Sequence, residues 1–139
     1  VKWRVLFLCL VVLLTLACGK KPRIVGPTAS PIGRTEKGLA SWYGLGDGYH
    51  GRRTASGERY NRQAMTAAHF SLPFGTYVRV TNLKNGKQAV VRINDRFPRQ
   101  TRDKGRVIDL SYRAAQALEM VRDGVVPVLI EVIPGGDKK

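Results

Sequence analysis

Three residues stand out as candidates to move or steer a proton: Glu58, His69 and Asp95. Asp95 ends a short apolar alternation, Val91-Arg92-Ile93-Asn94-Asp95. Side chains alternate faces along a strand, so Val91, Ile93 and Asp95 are expected to share one. This places Asp95 at the end of an inward row, at the mouth of a sheet structure. A carboxyl group held against apolar neighbours keeps its proton to higher pH and can act as a general acid. Arg92 and Arg96 have the opposite parity. Such an acid could protonate a leaving oxygen, as cleavage of a glycosidic bond requires. Glu58 and His69 could hold hydroxyl groups or tune the acid. The bland alternative for Asp95 is a turn residue, since Asp-Arg before Phe97-Pro98 suits a turn.

The elements needed to position these residues read as mostly β. Residues 39–43 form a strand ending in Trp42-Tyr43-Gly44. Residues 77–82 alternate Tyr77, Arg79 and Thr81 with Val78 and Val80. Asn85-Gly86 is a hairpin turn, and 89–94 is the return strand. Residues 107–110 form a further strand. Ser111 is placed to cap a helix running to about Met120, with Ala114, Ala115 and Leu118 on one face. Gly124 is expected to stop that helix, and 125–133 is the last strand. Many short strands, one helix and no βαβ rhythm predict a small closed barrel.

The N-terminus reads as a targeting segment. Lys2 and Arg4 precede an apolar run over 5–16, which suits a signal peptide better than a bilayer span. It ends in Leu16-Ala17-Cys18-Gly19, which resembles a bacterial lipobox. The expectation is a signal peptide over 1–17, a diacylglycerol on Cys18, and a tether over 18–37 rich in Pro and Gly. The barrel is expected over 38–134 and a tail over 135–139. The only cysteines are Cys9 and Cys18, so the folded part has no disulfide framework. The sequence holds 24 basic against 10 acidic residues. Such an excess attracts polyanions. Behind a secretion signal these are headgroups and wall carboxylates, not nucleic acid. The expected site is lipid-anchored in the envelope, on the periplasmic face of the outer membrane.

Six motifs then stand in order. They are 40–44 (Ala-Ser-Trp-Tyr-Gly), 54–58 (Thr-Ala-Ser-Gly-Glu), 66–69 (Thr-Ala-Ala-His), 80–83 (Val-Thr-Asn-Leu), 91–96 (Val-Arg-Ile-Asn-Asp-Arg) and 108–111 (Ile-Asp-Leu-Ser). Together they resemble the rare lipoprotein A family. The resemblance implies a mainly β, six-stranded double-psi β-barrel, related to barwin and expansins, with one or two short helices. It implies a lytic transglycosylase acting on peptidoglycan glycan strands that lack stem peptides. Its catalytic acid falls on Asp95, with Glu58 and His69 in support. Trp42, Tyr43, Asn94 and Arg96 are candidate substrate contacts. Division or wall-synthesis proteins are candidate partners. A non-catalytic wall-binding module is the alternative. Relatives usually continue Asn-Asp-Arg with Gly-Pro-Phe, whereas here Phe97-Pro98-Arg99 follows, so a loop of different shape is expected.

No cofactor is expected. His50, His69 and Asp95 match no compact metal-ligand spacing. Asp109, just before the capping serine, is read as structural, binding backbone N–H groups near the helix start. The basic pair Arg52-Arg53 is either a contact for substrate acids or an exposed loop.

Overall fold

A computed structural model describes residues 31–98, 100 and 104–135. The expected signal peptide, Cys18, Arg99 and nearly all of the expected tail lie outside the described residues.

Six strands close into one barrel. They are β1 (Thr35–Tyr43), β2 (Thr66–Ala68), β3 (Tyr77–Asn82), β4 (Gln88–Asp95), β5 (Arg106–Ser111) and β6 (Val126–Ile133). The order around the barrel is β1-β5-β2-β4-β3-β6. β1 runs parallel to β5 and β2 parallel to β4; the other neighbours are antiparallel. Closure pairs both edges of every strand, so no edge is left to aggregate. Regular structure reaches back to Thr35, into the stretch expected as tether. β1 needs that length because its first part pairs with β6 and its last part with β5.

The core is the inward set of the strands: Val78, Val80, Val91, Ile93, Ile108, Leu110, Val128 and Ile130. A short helix, α1 (Tyr112–Ala117), plugs one end with Ala114, Ala115 and Leu118, all fully buried. Ser111 caps it as expected, its Oγ accepting from the Ala114 N–H at 3.2 Å. The helix is shorter than expected and Gly124 does not stop it. It ends at Ala117, with Glu119 in the left-handed region at φ 50°. The reason is the β3–β4 hairpin. Asn82 and Asn85 each donate a side-chain N–H to the Leu118 carbonyl at 3.0 Å, satisfying a helix-end acceptor from outside the helix.

β2 was not legible as a strand. It is three residues of Thr and Ala, all buried, formed because β4 and β5 flank it on both sides. Pairing and burial here override weak local propensity.

Both parallel pairs carry one extra residue. Between β1 and β5 it is Val107, because Leu39 faces Arg106 and Ala40 faces Ile108. Between β2 and β4 it is Asn94, because Ala67 faces Ile93 and Ala68 faces Asp95. Bulges of this kind re-aim the side chains that follow them. Asp95 is therefore turned off the row of Val91 and Ile93. It stands beside Ala68, whose other neighbour is Asp109. Ala67, Ile108 and Leu110 belong to the core, so Ala68, Asp95 and Asp109 occupy the opposite face of the wall. The acid sits on the outside of the barrel, not in the inward row at its mouth.

Candidate active site

An open cleft of about 120 Å³ lies on this outer face, lined by Tyr43, Tyr49, Ala68, Asp95, Arg96, Phe97, Pro98 and Asp109. Ala68 has the smallest possible side chain for a strand position and forms the floor. The two carboxylates rise from the strands on either side of it.

The two acids are held differently. Asp109 accepts from the Ser41 hydroxyl and pairs with the Arg106 guanidinium. The expectation that it binds N–H groups at the start of α1 is not met: there the Ser111 Oγ accepts from Ala114 and the Arg62 carbonyl accepts from Arg113 at 2.9 Å. Asp95 forms no ion pair among the described residues. Its Oδ1 accepts the backbone N–H of Ala55 at 2.9 Å and of Arg96 at 2.8 Å. Its Oδ2 accepts the Tyr43 hydroxyl at 3.0 Å. One oxygen is thus anchored by backbone, and the other accepts from a phenol.

Tyr43 is itself fixed. Its ring stacks on Tyr60 at 4.5 Å and meets Tyr49 edge-on at 5.6 Å. Burial, then the charge of Asp95 and the bond to it, push the Tyr43 phenol far above its ordinary range. It remains a neutral donor at any working pH. Tyr60 donates to the Tyr43 carbonyl at 2.7 Å, and burial pushes it up to about 12. Gly44 follows at φ 102°, where a Cβ would run into the Tyr60 ring. Only glycine lets the chain leave β1 beneath that ring.

The motif over 54–58 is a clip on the end of β4. Ala55 reaches Asp95, and the Ser56 N–H donates to the Asn94 carbonyl at 3.2 Å. Glu58 takes both guanidinium N–H groups of Arg92, at 2.7 and 2.9 Å, and the Asn94 side chain at 3.1 Å. The Arg92 bonds, then Asn94, lower Glu58 from 4.5 to about 2. Glu58 is a fixed anion that locks the clip, and it does not line the cleft.

His69 is fully buried. Its Nδ1 accepts the N–H groups of Ser71 at 3.1 Å and Leu72 at 3.0 Å, so the neutral ring carries its proton on Nε2. Nε2 lies 3.5 Å from a Glu36 carboxylate oxygen. The ring stacks on Phe70 at 4.6 Å. The His69 backbone is what touches the acid: its N–H donates to the Asp95 carbonyl at 3.2 Å. Arg96 ties the two residues together, donating to the carbonyls of His69 at 3.1 Å and Asp95 at 3.2 Å. Its guanidinium lies 4.0 Å over the Phe74 ring.

Of the residues singled out from sequence, Tyr43, Asp95 and Arg96 meet in the cleft. Asn94, Glu58 and His69 support β4 from beside and below it. Trp42 faces elsewhere, packed against the core with Tyr112 at 5.6 Å. Phe97 is buried against His69 and Phe70 and walls the cleft. Sequence reasoning missed Asp109 and Tyr49 as cleft residues. A signal for Asp109 was present: an acid between Ile108 and Leu110 on one strand must point away from the core.

This barrel, with its bulged parallel pairs and outer cleft, has known counterparts. A family model described as "Lytic transglycolase" matches residues 35–130. The chain belongs to the lytic transglycolase family, among the RlpA proteins. An RlpA relative from Nostoc sp., "Probable endolytic peptidoglycan transglycosylase RlpA", is 61% identical over 105 residues, covering 76% of this chain and 28% of the relative. Endolytic peptidoglycan transglycosylase RlpA from Campylobacter jejuni is 48% identical over 110 residues, covering 79% of this chain and 38% of its own length. The Vibrio cholerae RlpA is 50% identical over 115 residues, covering 83% and 41%. The chain thus spans well under half of these RlpA relatives.

Among solved structures, the Streptomyces papain inhibitor superposes with a TM-score of 0.58 at 24% identity, over 75% of this chain and 98% of that one. An expansin from Clavibacter michiganensis gives 0.56 at 25% identity, over 73% and 51%. They establish the double-psi β-barrel expected for an RlpA protein.

Proposed function

We propose that the chain is an endolytic peptidoglycan lytic transglycosylase that cuts between muramoyl and glucosaminyl residues and leaves anhydro-muramoyl ends. The observation that carries this is the contrast between the two cleft acids. Asp109 is paired with Arg106, whereas Asp95 has no cation paired to it among the described residues and presents Oδ2 to the cleft. The names of the RlpA relatives support the same reading.

The step uses one carboxyl twice. Asp95, protonated, gives its proton to the glycosidic oxygen as the bond to C1 of the muramoyl ring breaks. The departing sugar leaves as an alcohol. The Asp95 carboxylate then takes the proton of the muramoyl C6 hydroxyl as that oxygen closes on C1. No water is consumed, and Asp95 ends protonated as it began. Anchoring Oδ1 on backbone N–H groups fixes the plane of the carboxyl, so Oδ2 serves both oxygens without rearrangement. Tyr43 orients Oδ2, while Glu58 and His69 hold β4 and its clip and touch no reacting atom.

Substrate strands free of stem peptides, a lipid on Cys18 and a place on the periplasmic face of the outer membrane complete the proposal. The Leu16-Ala17-Cys18-Gly19 sequence supports the last two. Wall-synthesis or division proteins are the partners this location would offer. The second reading is a wall-binding module without cleavage. The exposed Tyr49 ring on the cleft wall favours it, because a sugar can stack there whether or not it is cut.

The test is mass spectrometry of soluble products from amidase-treated peptidoglycan. Anhydro-muramoyl oligosaccharides are expected from the chain. Asp95→Asn is expected to lower their rate by about 10² to 10⁴, the range of lost acid–base catalysis. Binding without products would favour the module.

A further inference from the structure

The basic pair in the clip loop is split by the fold. Arg53 donates to the Gly57 carbonyl at 2.8 Å, and Arg59, bridged to it across the loop, donates to the Gly51 carbonyl at 2.9 Å. Both guanidinium groups stitch the loop together. Arg52 does not. Its guanidinium lies over the Tyr49 ring, 5.7 Å from the centroid, and pairs with no carboxylate among the described residues. The acid of the same loop, Asp47, already accepts the N–H groups of Gly44 at 2.6 Å and Tyr49 at 3.1 Å.

Tyr49 is 48% exposed and lines the cleft. It touches Tyr43, and Tyr43 touches Asp95. A continuous path thus runs from the acid, over two aromatic rings, to an exposed cation. A guanidinium held over a ring keeps its N–H fork turned outward, where it suits a carboxylate.

We propose that Arg52, positioned by Tyr49, binds the lactyl carboxylate of a muramoyl residue lying in the cleft. This rests on the reading that the cleft holds peptidoglycan glycan. That carboxylate is anionic only where the stem peptide is gone; with the peptide attached it is a neutral amide. Arg52 is then the residue by which the cleft prefers peptide-free strands.

The experiment measures binding in the Asp95→Asn chain, which does not consume its ligand. The ligands are a peptide-free muramoyl tetrasaccharide and the same oligosaccharide with its lactyl groups converted to methylamides. Calorimetry with Arg52 in place is expected to show about tenfold tighter binding of the acid form, the size of one charge-assisted contact. Added Arg52→Gln is expected to bind both ligands equally, at the weaker level. Arg52→Lys is expected to keep part of the preference, and raising the salt to shrink it. The Arg52 backbone, bonded to the Tyr49 carbonyl at 3.0 Å and to the Tyr60 N–H at 2.7 Å, is untouched by these changes. Equal binding of both ligands with Arg52 present would overturn the subsite alone. So would a preference that survives Arg52→Gln, or an equal loss for both ligands in that variant. Binding of neither ligand by the Arg52 chain would overturn the glycan reading of the cleft as well.

Discussion

Asp95 is set apart from Asp109 less by its own surroundings than by what surrounds its neighbour. Arg106 cancels one charge and leaves the other available. Tyr43 is the residue that makes Asp95 directional. Tyr43→Phe keeps the ring stack on Tyr60 and removes only the bond to Oδ2. The expected outcome is a fall in kcat of about ten- to 150-fold with KM little changed, since one hydrogen bond to a charged group is worth ~1.5–3 kcal/mol. Steady-state kinetics on soluble glycan would check it; a change confined to KM would assign Tyr43 to substrate binding instead. Asp95 is legible as an acid following an apolar row, but its place on the outer face is not. Parity ignores a bulge, and Asn94 supplies one. His69 was legible as polar within an apolar stretch. That its ring is buried, and its backbone does the positioning, depends on Phe70, Ser71 and Leu72 folding over it.

The clip over 52–60 and the β3–β4 hairpin are the elements that place these residues. The clip is locked by Glu58, whose folded pKa of about 2 lies below its ordinary 4.5. A depressed carboxylate stabilises the fold above the unfolded value and loses that contribution as pH falls through the folded one. The Glu58 contribution is therefore whole above pH 4.5 and fades toward about pH 2. Glu58→Gln should be less stable than the parent at neutral pH, by a modest amount because the pair is largely exposed. The two should converge as the pH is lowered through that window. Thermal melts across pH would show it, and a constant gap would contradict the lock. At the other element, Asn82 is fully buried between the hairpin and the end of α1. Asn82→Ala should cost ~1–3 kcal/mol in denaturant melts, the penalty of a lost buried bond. The exposed Asn85→Ala should cost less. Equal losses would mean that the hairpin, not burial, sets the value. The Asn-Gly turn and its two strands could be read directly, as could the Ser111 cap. The helix end could not, because the groups that stop it come from a hairpin some thirty residues earlier in the chain.

At the scale of the molecule, every strand but β2 was visible, and their order was not. Period-two patterns locate strands; they carry no record of which strands become neighbours. The parallel pairs β1–β5 and β2–β4 join distant segments, and the cleft exists only because β2 slots Ala68 between two acids. Family resemblance supplied the topology that pattern could not. That topology presents in its cleft an acid with no ion pair among the described residues, on the outside of a closed barrel, in a chain with a formal net charge of +14. The central claim is that this one acid cuts glycan without water. It is tested most directly by digesting peptide-free glycan in water labelled with heavy oxygen and weighing the new ends. The account predicts anhydro-muramoyl ends that carry no label. Reducing ends bearing one heavy oxygen would contradict it, because water would then be the nucleophile and a second carboxylate, with Asp109 the neighbour at hand, would have to activate it.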